Sequence, residues 1–126
     1  MPRTGLVFYQ EAPGNVPALD WLRSLQRTDR RGYAKCVARV QRLAELGHEL
    51  RRPEADFLRD GIHELRARRG RRQYRILYFF HGKEVAVLAA GLSKEGRVPD
   101  GDIVRALQRM VAFEQDPSTH TFVMEL

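Results

Sequence analysis

The sequence contains one cysteine, Cys36, and no long apolar run. A single cysteine excludes an intrachain disulfide and predicts a protein of a reducing compartment, which we expect to be the cytoplasm. Cys36 falls on the apolar side of a predicted helix, where a packed thiol is favoured over a nucleophile. No stretch approaches the roughly 20 apolar residues that span a bilayer, and no apolar signal region follows the N-terminus, so neither membrane insertion nor export is predicted.

Patterns that bind metals or cofactors are also missing from the sequence. The four histidines show no metal-ligand spacing. The chain has neither a phosphate-cradling glycine loop nor the signature of a serine nucleophile. We therefore predict that the protein uses no metal and no cofactor.

Disorder is excluded for most of the chain, because 43% of the residues are hydrophobic and 30% are charged.

Lysine is also rare in the sequence, and arginine supplies most of the positive charge. The net charge is +6, yet only three of the 22 basic residues are lysine. Six of the ten residues from Arg66 to Arg75 are arginine, and strand-like sequence flanks them on both sides. Guanidinium is planar, permanently charged and able to form paired hydrogen bonds with phosphate. An arginine-only hairpin therefore predicts the backbone of RNA or DNA as a partner.

Hydrophobic periodicity predicts one α+β domain over residues 1–126, in the order β-α-α-β-β-β-α. Asn15 and Asp29 are suited to cap the first two helices, and Gly47 to end the second. The strand at 84–91 lacks polar alternation and is expected inside the sheet. The sequence predicts a loop over 48–60 and a mobile tail over 115–126. The other predicted strands cover 6–9, 61–68 and 72–80, and the predicted helices cover 16–25, 29–46 and 100–113.

Three short motifs occur within this order of elements: 61–66 (GIHELR), 74–78 (YRILY) and 91–94 (GLSK). Together they resemble the RelE/ParE toxin superfamily, in particular its HigB-like, phage-derived branch, over nearly the whole chain to about Phe113. The resemblance implies a mainly antiparallel four-stranded sheet with two N-terminal helices and one C-terminal helix. It also implies a type II toxin that cleaves messenger RNA on the ribosome without metal. The implied protein partner is a cognate antitoxin of helix-turn-helix type, whereas the oligomeric state is not indicated.

The resemblance implies four catalytic candidates, each with an alternative. Arg75 matches a strand arginine that binds the scissile phosphate, or it pairs with a structural carboxylate such as Glu64 or Glu84. Arg66 is expected to contact phosphate or stabilise transition-state charge. Glu64 is a general base or, as the surrounding arginines favour, their orienting partner. Lys94 is an acid–base candidate or an exposed loop lysine, and the acidic residue after it departs from the family pattern.

The remaining hairpin residues are predicted to bind RNA. Strand alternation places Arg68 on the same face as Arg66. Arg69, Arg71 and Arg72 are expected near the turn, where they contact phosphates or form a solvated surface. Tyr74 packs in the core or stacks on a base.

Two other functions are compatible with the sequence. ParE-like relatives share the fold but poison DNA gyrase, and a basic RNA- or protein-binding module would need no catalysis. Convergence of Glu64, Arg66 and Arg75 on one concave face favours the nuclease. Dispersal of these side chains favours a gyrase poison or another protein-binding toxin.

Overall fold

A computed structural model describes residues 3–126 of the chain. The order of elements is β1 (Gly5–Tyr9), α1 (Pro17–Thr28), α2 (Arg30–Leu46), a 3-10 turn (Gly47–Glu49), β2 (Ala55–Arg59), β3 (Ile62–Arg69), β4 (Arg72–His81), β5 (Val85–Ser93), α3 (Asp100–Gln115), α4 (Pro117–His120) and β6 (Thr121–Phe122). The predicted α+β class is confirmed. Among the described residues, no helix is both long enough and apolar enough to cross a membrane.

The six strands form one sheet, in the order β2-β3-β4-β5-β1-β6. Neighbouring strands run antiparallel, except that β1 and β5 are parallel. One face packs against α1 and α2 through residues such as Leu22, Leu43 and Ile76, and we call it the α1–α2 face. The other packs against α3 through residues such as Phe79 and Phe113, and we call it the α3 face.

Two of the predicted helix boundaries are confirmed. Asp29 caps α2 by accepting a hydrogen bond from the backbone N–H of Gly32, and Gly47 ends this helix with a φ of +53°. Such a φ is easily reached only by glycine. Asn15 is a wrong prediction, because Val16 is the N-cap of α1 and provides no side-chain hydrogen bond.

Interior burial of β5 is also confirmed. Ala86, Val87, Leu88 and Ala89 are fully buried, because both faces of this strand are covered by helices. Its end lies close to α1, since a Cβ atom on Gly91 would stand 2.2 Å from the ring of Trp21. Only glycine allows this close approach between strand and helix.

The four-strand count is wrong, because two short edge strands lie where the sequence predicts none. β2 lies within the predicted loop 48–60, and it pairs with the first half of β3. β6 lies in the predicted tail, after a turn of helix capped by Asp116, and adds two residues to the edge of β1. β6 has only two residues, and β2 lies in a polar segment broken by Pro53, so neither shows a periodic pattern of its own, and pairing with a neighbouring strand stabilises them.

Candidate functional site

The β3–β4 hairpin divides its charged side chains between the two faces of the sheet. Arg66 and Arg75 are direct cross-strand partners, and Arg68 pairs with Gln73. Side chains that alternate along a strand keep Glu64, Arg66 and Arg68 on the α3 face with Ile62. Of the two arrangements that the sequence left open, convergence of Glu64, Arg66 and Arg75 on one face is therefore the one that the structure shows.

These side chains line two adjoining cavities, which together we call the arginine groove. The first has a volume of 320 Å³ and the second 510 Å³. Either volume lies in the range of about 300–1,000 Å³ that is typical of small-molecule sites, so a nucleotide is an appropriate size of occupant. Four residues line both cavities: Arg52, Arg66, Gln73 and Arg75. The first cavity also includes Arg39 and Arg68, and the second includes Glu64 and Arg97.

Arg75 is held in an internal network at the floor of the groove. Its Nη1 donates to Oε1 of Glu64 at 2.8 Å, and both side chains are about 95% buried. Its Nη2 donates to Oε1 of Gln73 and to the carbonyl oxygen of Gly96, each at 2.7 Å. Of the two roles that the sequence left open for Arg75, this geometry matches the structural ion pair. Glu64 accepts this hydrogen bond, which matches its alternative role as the orienting partner of Arg75.

Arg39 and Arg52 of the groove pair with Glu54 at 3.5 Å and with Asp56 at 2.9 Å, whereas three other guanidinium groups are not engaged in this way. None of the ion pairs within residues 3–126 involves Arg66, Arg68 or Arg97. The main chain of Arg66 is fixed, because its N–H donates to the carbonyl of Glu54 and its carbonyl accepts from Nε of Arg39. A half-buried arginine on a fixed backbone, without a carboxylate partner, is suited to bind a phosphate.

The opposite, α1–α2 face holds a second charged cluster around Asp29. This carboxylate accepts from the Tyr74 hydroxyl at 2.5 Å and from the backbone N–H of Gly32 at 3.0 Å, and it pairs with Nε of Arg69 at 3.2 Å. A Cβ atom on Gly32 would approach within 2.5 Å of both Tyr74 and Asp29, so only glycine fits here. Arg72 also interacts with the Tyr74 hydroxyl, which raises the pKa of Arg72.

This cluster determines the position of three predicted RNA-binding residues. Tyr74 is only 2% exposed, so it takes the core position and its ring faces are not open for stacking on a base. Arg69 and Arg72 belong to the sheet face opposite the arginine groove. Arg71 is exposed in the turn, and Arg68 alone of the four non-catalytic hairpin arginines lines the groove.

The Asp29 cluster makes a pH-dependent contribution to stability. The Tyr74 hydrogen bond, followed by the Gly32 N–H and the charges of Arg69 and Arg72, lowers the pKa of Asp29 below its usual 3.8. A carboxyl whose pKa is lower in the folded state stabilises the fold above the unfolded pKa, and this contribution is lost as pH falls through the folded pKa.

We therefore expect Asp29→Asn to lower the thermal unfolding temperature at pH 7, and the difference from wild type to shrink as the pH falls below about 3.8. Circular dichroism melts across this range provide the measurement. Glu125→Gln, in the exposed tail, is the control and should change little at any pH. A difference that stays constant down to the acid limit would contradict the assignment.

Lys94 lies outside the arginine groove. It follows the end of β5, its side chain is exposed, and its backbone N–H donates to the carbonyl of Gln73 at 3.0 Å. This position is adjacent to the groove along the chain but does not line either cavity. The structure thus brings together Glu64, Arg66, Arg68 and Arg75, and leaves Lys94 beside them on the surface.

Three groove arginines were not singled out by the sequence. Arg39 comes from α2, Arg52 from the segment before β2, and Arg97 from the segment before α3. Each lies in a different part of the chain, and only the tertiary packing brings them to the hairpin. The only feature of the sequence that could have pointed to these residues is that all three segments contain arginine rather than lysine.

The fold and the groove define the class of protein: a small α+β domain that presents a cationic groove at the hairpin end of its sheet. A family model described as "Phage derived protein Gp49-like (DUF891)" matches residues 20–111. The chain belongs to this family, which is a RelE-type family of toxin-like proteins. The matched residues run from α1 into α3 and include the hairpin and the groove. No curated protein matches the chain.

Proposed function

We propose that the protein is the toxin of a type II toxin–antitoxin system and acts as a ribosome-dependent, metal-free messenger RNA endoribonuclease. The observation that carries this proposal is the arginine groove, in which Arg66, Arg68 and Arg97 form none of the ion pairs of residues 3–126. Such a surface matches the charge of an RNA backbone, and its cavities match the size of a nucleotide. Membership of a toxin-like family is a second, independent support.

The proposed reaction is attack of a ribose 2′-oxygen on the adjacent phosphorus. A 2′-O–P bond forms, the P–O5′ bond breaks, and the proton lost from the 2′-hydroxyl is balanced by one gained at the leaving 5′-oxygen. Arg66, with Arg68, stabilises the additional negative charge on the pentacoordinate phosphate. Arg75 acts as a positioning residue, because its contacts with Glu64 and Gly96 connect β3, β4 and the segment before α3.

The groove contains few side chains that could accept or donate the protons of this reaction. Glu64 is buried and paired, and the side chains that line the first cavity include no histidine. Lys94, exposed at the end of β5, is the proposed proton donor to the 5′-oxygen once substrate is bound. A site so rich in cations and so poor in bases is consistent with a requirement for the ribosome, which would align the 2′-oxygen with the phosphorus.

The proposed protein partner is an antitoxin of helix-turn-helix type, encoded beside the toxin. A complementary acidic segment would block an arginine-lined groove by occupying the phosphate positions. Helix-in-groove or strand-addition docking are the usual forms of such contacts.

A ParE-like gyrase poison is the second candidate function. The observation that favours it is the internal pairing of Arg75, which removes one expected phosphate ligand from the site. Under this alternative the groove would hold a protein segment and would need no catalytic groups.

The two candidates are separated by inducing the protein in bacterial cells and mapping messenger RNA 5′ ends on purified ribosomes. The proposed function predicts growth arrest with new 5′ ends inside the coding region at the ribosomal A site. Gyrase poisoning predicts DNA breaks and no new 5′ ends. Growth arrest with neither signal would overturn both.

A further inference from the structure

A separate cavity of 390 Å³ opens on the far side of the edge strand β2. Its walls include His48, Phe57 and His63, with Arg51 and Arg52 at its border. Phe57 is 56% exposed, which is unusual for a large aromatic side chain on a small protein. Neither the proposed reaction nor the core accounts for this ring.

The rings of this cavity are held in place from behind. His63 stands edge-on to Phe57 at 5.1 Å between ring centroids and stacks on Tyr78 at 5.2 Å. His48 stacks on Phe80 at 3.6 Å. Tyr78 and Phe80 belong to the α1–α2 core, so the outer rings rest on a rigid support. A pre-organised aromatic surface loses little conformational entropy when a flat ligand stacks on it.

The cavity has the electrostatics of a base-binding site rather than a phosphate site. Burial lowers the pKa of His63, as does the neighbouring His48, whereas Asp56 opposes this shift. His63 is therefore an uncharged imidazole near neutral pH, with one N–H donor and one acceptor nitrogen. Positive charge is confined to the border, on Arg51 and Arg52, and the exposed Arg52 also pairs with Oδ2 of Asp56 at 2.9 Å. Nucleobases match this combination of aromatic faces and mixed donors and acceptors.

This cavity adjoins the arginine groove and shares wall residues with it. Arg52 lines it and also lines both cavities of the groove, and Phe57 borders it as well as the larger of those two cavities. Because β2 is the edge strand of the sheet, no further strand stands between them. A single strand of nucleic acid can therefore pass from the groove over this edge with a phosphate at Arg52.

We propose that the cavity formed by His48, Phe57 and His63 is a nucleobase subsite for single-stranded RNA. The base stacks on Phe57, and the adjoining phosphate contacts Arg52. This inference rests on the proposed function only in taking RNA as the ligand. It adds a subsite that binds one unpaired base beside the proposed cleavage groove.

The test is binding of a fluorescein-labelled, unstructured RNA decamer, measured by fluorescence anisotropy at low salt. Phe57→Ala should weaken binding about tenfold, because stacking of one base on an aromatic ring contributes on the order of 1–3 kcal/mol. Phe57→Tyr should bind like wild type. An abasic oligonucleotide of the same length should bind equally to wild type and Phe57→Ala. Val111→Ala, at a similarly exposed position on α3, is the matched control and should have no effect.

A spectroscopic variant reports stacking directly. Phe57→Trp adds an indole to a chain whose only tryptophan is Trp21. Its additional emission should be quenched by the RNA decamer but not by the abasic strand, and wild-type emission should stay unchanged in both titrations.

Each contrary result has a distinct meaning. Equal affinity of wild type and Phe57→Ala would overturn the subsite and leave the proposed nuclease intact. Equal weakening on RNA and on the abasic strand would overturn base stacking. Loss of antitoxin binding in Phe57→Ala with RNA binding unchanged would assign the surface to a protein partner and overturn the inference. Absence of ribosomal cleavage with Phe57-dependent RNA binding preserved would instead overturn the proposed nuclease and leave the subsite standing.

Discussion

Arg75→Ala is expected to destabilise the protein by about 3–5 kcal/mol, because it leaves the buried carboxylate of Glu64 without its partner. The side chains of Arg75 and Glu64 are only 5% and 4% exposed, so water cannot replace the lost interaction. The substitution also removes the donors to Gln73 and to the carbonyl of Gly96. Since domains of this size are typically stable by about 5–15 kcal/mol, the variant should unfold at far lower urea concentration.

Urea unfolding followed by circular dichroism measures this loss, and a double variant tests its cause. Glu64→Leu combined with Arg75→Met removes both charges and retains apolar volume. It should recover much of the stability lost in Arg75→Ala, since a buried ion pair replaced by apolar residues is often neutral or better. If Arg75→Ala instead costs less than about 1 kcal/mol, the ion pair contributes little, and Arg75 would be available to bind phosphate.

The same pair shows what the sequence could and could not predict about the site. Strand alternation was enough to place Glu64, Arg66 and Arg75 on one face, because the hairpin has a regular register. Alternation does not determine which arginine takes the carboxylate. Which arginine pairs with Glu64 depends on how deeply each side chain is buried. Arg75 is in the central strand β4, whereas Arg66 lies where β3 extends beyond β2. The buried arginine needs the partner, and the half-buried one does not.

The Asp29 cluster marks a second limit of prediction. Asp29 was predicted as a helix cap, and it is one. Its additional contacts with Arg69 and Tyr74 join residues more than 35 positions apart, and no local pattern encodes such a contact. As a result, the sequence does not predict that Arg69 and Arg72 lie on the face opposite the groove, and their contact with RNA stays a prediction.

For the fold, prediction succeeded where periodic segments were long. The helices and the strands β3, β4 and β5 each contain enough turns or alternations to be recognised. β6 has only two residues, and β2, although as long as the predicted strand β1, lies in a polar segment broken by Pro53. Both become strands only by pairing, β2 with β3 and β6 with β1. The number of strands was therefore underestimated at the two edges of the sheet, where tertiary pairing rather than local sequence decides.

The second large effect concerns activity rather than stability. Arg66→Ala is expected to reduce messenger RNA cleavage on ribosomes by about 10²–10³-fold, the usual consequence of removing one donor that stabilises transition-state charge. Its unfolding midpoint should stay close to that of wild type, since Arg66 belongs to none of the ion pairs within residues 3–126. Arg66→Lys should recover only part of the rate, because ammonium retains the charge but not the paired donors.

Single-turnover cleavage of a defined message on ribosomes, with protein in excess, measures this rate. Arg27→Ala is the matched control, because it removes an equally basic but exposed residue from α1 and should leave cleavage unchanged. Wild-type cleavage by Arg66→Ala would contradict the proposed role. Comparison with Arg75→Ala then distinguishes a direct effect on the reaction from an effect on the fold. Arg66→Ala should lower the cleavage rate while the protein stays folded. Arg75→Ala should lower the rate only in proportion to the protein that has unfolded or whose groove has lost its shape.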